Sequence, residues 1–235
     1  MHFLLLIAYF ITTQLPTDGG TIYRETIPGG DYLAEPWNAI SSLSILLPAV
    51  YWAWKLRGRY REYPFITFCI PLLFLGGLGS TLFHALRNSR LLLLLDVTPT
   101  AILMLSLAIY FWVKILPKWW WVIPIVAASL LWRFWARYYL PLDLAINITY
   151  AVTGSLIFIP TIILLYRTRM AHSSFIIVSA VFFITSLIFR KLDSWEQDVL
   201  PMGTHFLWHI FSGVGAFFLA EYLYKVHLKD AETEI

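Results

Sequence analysis

The fold class predicted by the sequence is all-α: an integral membrane bundle of seven transmembrane helices. Three observations predict it. Of 235 residues, 59% are hydrophobic and only 13% charged, whereas a soluble domain carries about a quarter charged residues. The apolar residues gather into seven stretches, each near the length of about 20 residues that the hydrocarbon core of a bilayer demands. Eleven Trp, 13 Tyr and 17 Phe supply amphipathic rings suited to the membrane–water boundary. The mean hydropathy of +0.70 agrees.

The same composition excludes several classes. A single cysteine, Cys69, leaves no disulfide framework and no multi-cysteine metal site. The net charge of +3 is spread over short loops, which argues against nucleic acid as a partner. Nothing implies a protein partner or a separate soluble domain.

Taken in order, the chain opens with an N-terminal segment, 1–33. Its apolar run 3–12 is short for a span and lacks a basic flank or convincing cleavage site; it reads as an interfacial segment, with a signal-like remnant as the alternative. A polar stretch with Asp18, Arg24, Glu25 and Asp31 follows. The spans are expected near 34–55, 65–86, 91–113, 119–138, 142–165, 174–190 and 203–225. Residues 34–225 thus form one transmembrane domain, and 226–235 a polar C-terminal tail. Pro48, Pro71, Pro99, Pro124 and Pro160 fall inside spans, where bundle neighbours can satisfy the carbonyls they free. Trp119, Trp120 and Trp121 beside Lys118 read as an interfacial anchor.

Orientation follows from the basic residues on alternate sides. One side receives Lys55, Arg57, Arg59, Arg61, Lys114, Lys118, Arg167, Arg169, Lys225 and Lys229, ten in all. The other receives Arg24, Arg87, Arg90, Arg133, Arg137, Arg190 and Lys191, seven in all. The bias predicts a cytoplasmic C-terminus and an N-terminus outside, in the cell membrane or an endomembrane.

Ionisable side chains inside spans are costly and mark functional interiors. Here they collect. Glu35 and Asn38 open the first span, Ser80 and His84 lie near the end of the second, Asp96 near the start of the third, and His205 and His209 open the last. Odd-numbered spans begin on the face where the second ends, so chain parity brings all of these to one membrane face. His205 and His209 are four apart and share a helical face, as do Ser80 and His84. Two imidazoles one turn apart, with a third from another helix, make a catalytic-zinc arrangement of three protein ligands and an open fourth position. Elsewhere, Asp143 and Asn147 form a polar pair, with Asp143 expected to pair with Arg137 or Arg133. The loop carrying Asp193, Glu196 and Asp198 reads as solvated.

These residues resemble a known family. Glu35-Pro36-Trp37-Asn38, Gly79-Ser80-Thr81-Leu82-Phe83-His84, Leu94-Leu95-Asp96 and His205-Phe206-Leu207-Trp208-His209 look like the motifs of the alkaline ceramidases. That family sits in a seven-transmembrane hydrolase-like superfamily with the progestin and adipoQ receptors, the adiponectin receptors and haemolysin III. The S-x-x-x-H, D and H-x-x-x-H set belongs to the superfamily; E-x-W-N and H-x-x-W-H point to the ceramidase branch. The resemblance implies that His84, His205 and His209 hold Zn²⁺. Asp96 would carry a proton from the zinc-bound water to the leaving amine, and Ser80 would stabilise the oxyanion. The implied substrate is a membrane lipid, ceramide or another N-acyl lipid, cleaved at its amide bond. Pro99 also leaves the Leu95 carbonyl without its helical donor, which can reshape the turn around Asp96.

Two departures stand out. The family binds Ca²⁺ through an N-terminal Asp-Trp motif together with the Glu of the first span. This chain keeps Glu35 but has no such Asp-Trp, Asp18 and Asp31 being weak substitutes, which weakens the expectation of calcium and leaves Glu35 and Asn38 as second-site or structural residues. Val97 stands where those enzymes often have Glu. Two other classes compete: a seven-span receptor or regulatory protein sharing the zinc site, and a proton-coupled transporter using intramembrane Asp and His. A retinal protein is discarded, because the last span has only Lys225, at its far end.

Overall fold

The computed structural model describes residues 16, 18–26, 33–194 and 199–233. The interfacial reading of 3–12, and the readings of Asp31, Glu196 and Asp198, lie outside those residues, as does the side chain of Asp143. Among the described residues there is no strand, and the long elements are seven helices: α1 Pro36–Lys55, α2 Pro64–Leu86, α3 Arg90–Ile115, α4 Val122–Tyr139, α5 Leu142–Arg167, α6 Ser173–Leu192 and α7 His205–Thr233. Short 3₁₀ turns, Tyr60–Glu62 and Trp119–Trp121, precede α2 and α4.

Local chemistry explains the boundaries. Pro36 and Pro64 occupy the first helical positions of α1 and α2, where a missing N–H costs nothing. Arg87 ends α2 in the left-handed conformation at φ 45°. The Ser89 hydroxyl accepts the Leu91 N–H at 3.2 Å and starts α3. Pro48, Pro71, Pro99 and Pro160 lie within helices, as a bilayer setting tolerates. The last helix continues past the last span expected from the sequence, into the segment read as a tail, as far as Thr233.

Among the described residues six helices are long and apolar enough to cross a membrane, and no more than 33% of any of their apolar windows is buried within the protein. Apolar helices this bare of protein cover need lipid around them. The chain is a multi-pass membrane protein. The helix outside the six is α1, and the reason is its polar inner face: Asn38, Ser41 and Ser42 are buried.

The chain divides into two compact units, 1–100 with 174–235, and 101–173. In the first, helices meet through small residues, which let backbones approach in lipid. A Cβ on Gly77 would sit 2.7 Å from the Leu46 nitrogen, and one on Gly213 would strike the Ser44 backbone. The Ser44 hydroxyl donates to the His209 carbonyl at 2.8 Å, and that of Ser179 to the Gly215 carbonyl at 2.8 Å. At the far end of α1, Lys55 pairs with Glu221 at 2.9 Å and lies over the rings of Trp52 and Tyr224. In the second unit the Arg133 guanidinium donates to the Thr153 hydroxyl. Arg167 donates to the Ile115 carbonyl at 2.7 Å. Trp119, Trp120 and Trp121 are exposed.

Candidate metal centre

His84 on α2 and His205 and His209 on α7 are buried, and one candidate ligand atom from each lies within 4.8 Å of the others. Ring centroids are 4.7 to 5.4 Å apart. Around tetrahedral zinc, neighbouring nitrogens stand about 3.4 Å apart, so small side-chain movements would close the cluster on an ion.

Proton counting sets the tautomers. The Ser41 hydroxyl donates its proton to the Asn38 carbonyl at 3.0 Å, and the Ser42 hydroxyl donates to the same oxygen at 2.7 Å. Both hydroxyls also lie against His209 Nδ1, at 2.9 and 3.2 Å. Their protons being used, His209 Nδ1–H is the donor, and its Nε2 keeps a lone pair. His84 Nδ1 meets the Glu35 carboxylate, an acceptor when ionised, which again leaves Nε2 as the lone-pair nitrogen. An imidazole that donates one N–H to a carboxylate or hydroxyl and turns the other nitrogen inward has the outer bonding of a metal ligand. His205 differs: its Nδ1 is buried with no hydrogen-bond partner among the described residues. A buried, unpaired nitrogen beside two lone-pair nitrogens is a donor set that fits a borderline-soft divalent ion such as zinc.

Glu35 is wholly buried and fully engaged. Besides His84 it meets Arg87 through an ion pair, accepts the Thr26 hydroxyl at 2.6 Å and the Asn38 amide at 3.2 Å. Arg87 also clasps Asp18, at 2.7 and 3.1 Å. Asp18 and Glu35 therefore do converge, on one guanidinium that they share. Burial pushes the Asp18 carboxyl up, but the hydrogen bonds from Arg87 and the Gly20 N–H outweigh it and hold the group below its ordinary value. The pair's contribution to stability is present above about pH 4 and is lost only as pH falls through that lowered value. Glu25 shifts the other way: burial raises it, although it accepts the Trp37 and Asn38 N–H groups at the start of α1.

Ser80 is buried, its hydroxyl 3.0 Å from that of Ser42. Asp96 is half-buried, and its backbone lies against Gly79, next to Ser80; its carboxylate feels the charge of His84. A Cβ on Gly79 would strike the carbonyl of Leu95, the group Pro99 deprives of its helical donor. Close passage at Gly79 thus holds α2 against the turn that carries Asp96.

All the residues predicted for the site come together: Glu35, Asn38, Ser80, His84, Asp96, His205 and His209. Sequence reasoning missed Ser41, Ser42, Tyr23, Thr26 and Arg87. It also misread Asp193, which is not solvated but 7% exposed. Asp193 Oδ1 accepts the Thr204 and His205 N–H groups at 2.6 and 2.9 Å, capping the helix that bears two of the histidines. Its signal was its place ahead of that helix. Asp143 cannot be placed against Arg137 or Arg133, its side chain lying outside the described residues.

Compared with protein-family models and with curated proteins, the chain matches none.

Proposed function

We propose that the chain is a seven-span, zinc-dependent amidohydrolase that cleaves the N-acyl amide bond of ceramide or a similar membrane lipid. The observation that carries this reading is the bonding of the imidazoles: Glu35 and the Ser41–Ser42 pair engage Nδ1 of His84 and His209, leaving both Nε2 lone pairs for a metal.

A zinc ion held by His84, His205 and His209 would supply Lewis acidity, bringing the pKa of a water to about 7 and polarising a carbonyl. The rest falls to the chain's own side chains. In the hydrolysis, water oxygen bonds to the acyl carbon, the C–N bond breaks, and one proton must reach the departing nitrogen. Asp96 takes that proton and returns it to the amine. The Ser80 hydroxyl donates to the carbonyl oxygen as it gains charge, in a site where little water competes. The receptor-class likeness involves the same histidines but has no need of a proton carrier at Asp96, which is why turnover decides between them.

Support for a seventh span comes from contacts within one unit. Asp18 bonds Arg87 at the end of α2, so these two residues share a membrane face. Since α2 crosses, the chain between Asp18 and Tyr63 must cross as well, and α1 is the helix there. Its outer face agrees: Trp37, Ile40, Leu43, Leu47, Val50 and Trp54 are exposed at helical spacing. Trp37 and Trp54 lie about 26 Å apart along a helix, close to the bilayer's hydrocarbon thickness. The ten-to-seven distribution of basic residues supports a cytoplasmic C-terminus and an outer histidine site.

The test is elemental analysis of the purified protein beside His84→Ala and Asp96→Asn, followed by release of fatty acid from ceramides and other N-acyl lipids. About one zinc per chain in the wild type, none in His84→Ala, and retained zinc without turnover in Asp96→Asn are expected. Zinc without hydrolysis of any lipid amide would favour the receptor class. Absence of zinc would move a transporter to the front.

A further inference from the structure

The three histidines are not held alike. His84 is oriented by Glu35, and His209 by Ser41 and Ser42. Among the described residues no hydrogen bond reaches His205 Nδ1, yet the ring is buried and close to the other two. Something else must fix its plane. A ring free to rotate about χ2 would present its lone pair to a metal only part of the time.

The neighbour that lies flat against it is Tyr23. Its ring stacks on His205 with centroids 3.9 Å apart and planes 25° from parallel, and it tilts against His84 at 5.3 Å. Tyr23 comes from the polar segment ahead of α1, and that segment is anchored on both sides of it. Asp18 binds Arg87 at the end of α2. The Arg24 N–H points at Asp193 Oδ2, 3.5 Å away, beside the start of α7. Glu25 caps α1 through the Asn38 N–H at 2.8 Å, and the Thr26 hydroxyl donates to Glu35 at 2.6 Å. Residues 18–26 thus form a strap tied to the ends of α1, α2 and α7, with one ring directed at the least supported histidine.

We infer that Tyr23 is a positioning residue of the metal centre: its ring, held by the 18–26 strap, orients His205 by stacking and closes the histidine cluster on the strap's side, slowing exchange of a bound ion. This rests on the metal reading above. The contact between the two side chains is ring on ring. Flat stacking also suits a neutral imidazole, the form that ligates a metal.

The experiment compares wild type, Tyr23→Phe and Tyr23→Ala, loaded with zinc in detergent and mixed with excess colorimetric chelator. Tyr23→Ala should still bind about one zinc per chain but release it about three to ten times faster, from the range that aromatic stacking contributes. Tyr23→Phe, which keeps the ring, should stay within about twofold of wild type. Equal release from wild type and Tyr23→Ala would overturn the inference while leaving the metal site intact. So would release from Tyr23→Phe as fast as from Tyr23→Ala, since the hydroxyl would then be the active group. A wild-type protein without zinc would instead defeat the metal reading itself. Should Tyr23→Ala fail to fold, Asp18→Asn loosens the strap without touching the ring, and faster release is expected from it on the same assay; an unchanged rate counts against the strap.

Discussion

At the scale of single residues, Glu35 ties the histidine site to its surroundings. It joins a guanidinium, an imidazole, a hydroxyl and an amide in one buried carboxylate. Glu35→Gln keeps the shape but removes a negative charge and one of two acceptor oxygens, so it cannot accept from both Arg87 and His84. Loss of such an outer partner lowers metal affinity about ten- to a hundredfold, and a competition titration against a zinc chelator of known affinity would read it. Wild-type affinity in that variant would mean that His84 does not bind through Nε2. The histidines and Asp96 were legible in the sequence because an i, i+4 repeat and chain parity are properties of the sequence itself. Their supports were not. Ser41 and Ser42 look like any helical serines bonding back to a carbonyl; only the packing of α7 shows that their oxygens also receive His209. Arg87 was counted as a topology charge, although at 3% exposed it is an internal cation. Tyr23 lies in a segment whose path no periodicity reveals.

At the scale of elements, the contact between α2 and α3 decides whether Ser80 and Asp96 can act together. Gly79 lets the α2 backbone ride against the Leu95 carbonyl, a group available because Pro99 cannot bond it. A methyl at position 79 meets backbone atoms, which cannot swing aside. Gly79→Ala should therefore destabilise the protein by about 1–3 kcal/mol through overpacking and weaken turnover by parting Asp96 from Ser80. Gly154 in α5 is the control, because a Cβ there meets nothing within 4 Å. Gly154→Ala should be neutral, or more stable by up to about 1 kcal/mol from helix propensity. Thermal unfolding in one detergent compares them, and equal melting of both variants would show that the α2–α3 approach is slack. Helix positions themselves were legible to within a few residues, since apolar runs bounded by Pro, Gly and charge leave little freedom. The continuation of α7 to Thr233 was hidden by polar composition, which says where a helix leaves lipid, not where it stops.

At the scale of the whole molecule, the open matter is the path of α1, and contacts far apart in sequence make it testable. Composition alone underrates this helix, because the serines and Asn38 that serve the site lower its hydropathy while its outward face stays apolar. If α1 crosses, Ile22 and Asn88 lie on one side of the membrane and Arg61 on the other. If α1 merely enters and returns, Ile22 joins Arg61, and the Asp18–Arg87 ion pair at 2.7 Å could not form across a bilayer about 30 Å thick. Ile22, Asn88 and Arg61 are exposed, so each accepts a single cysteine in a chain whose native Cys69 is replaced by serine. An impermeant maleimide added to sealed vesicles of one orientation should label Ile22→Cys and Asn88→Cys together and Arg61→Cys only after the vesicles are opened, or the reverse in inverted vesicles. Labelling of Ile22→Cys with Arg61→Cys would remove the seventh span and detach the strap from the histidines. The expected pattern would put strap, helix ends and metal ligands on a single face, where a lipid amide near the headgroup level can reach them from the bilayer.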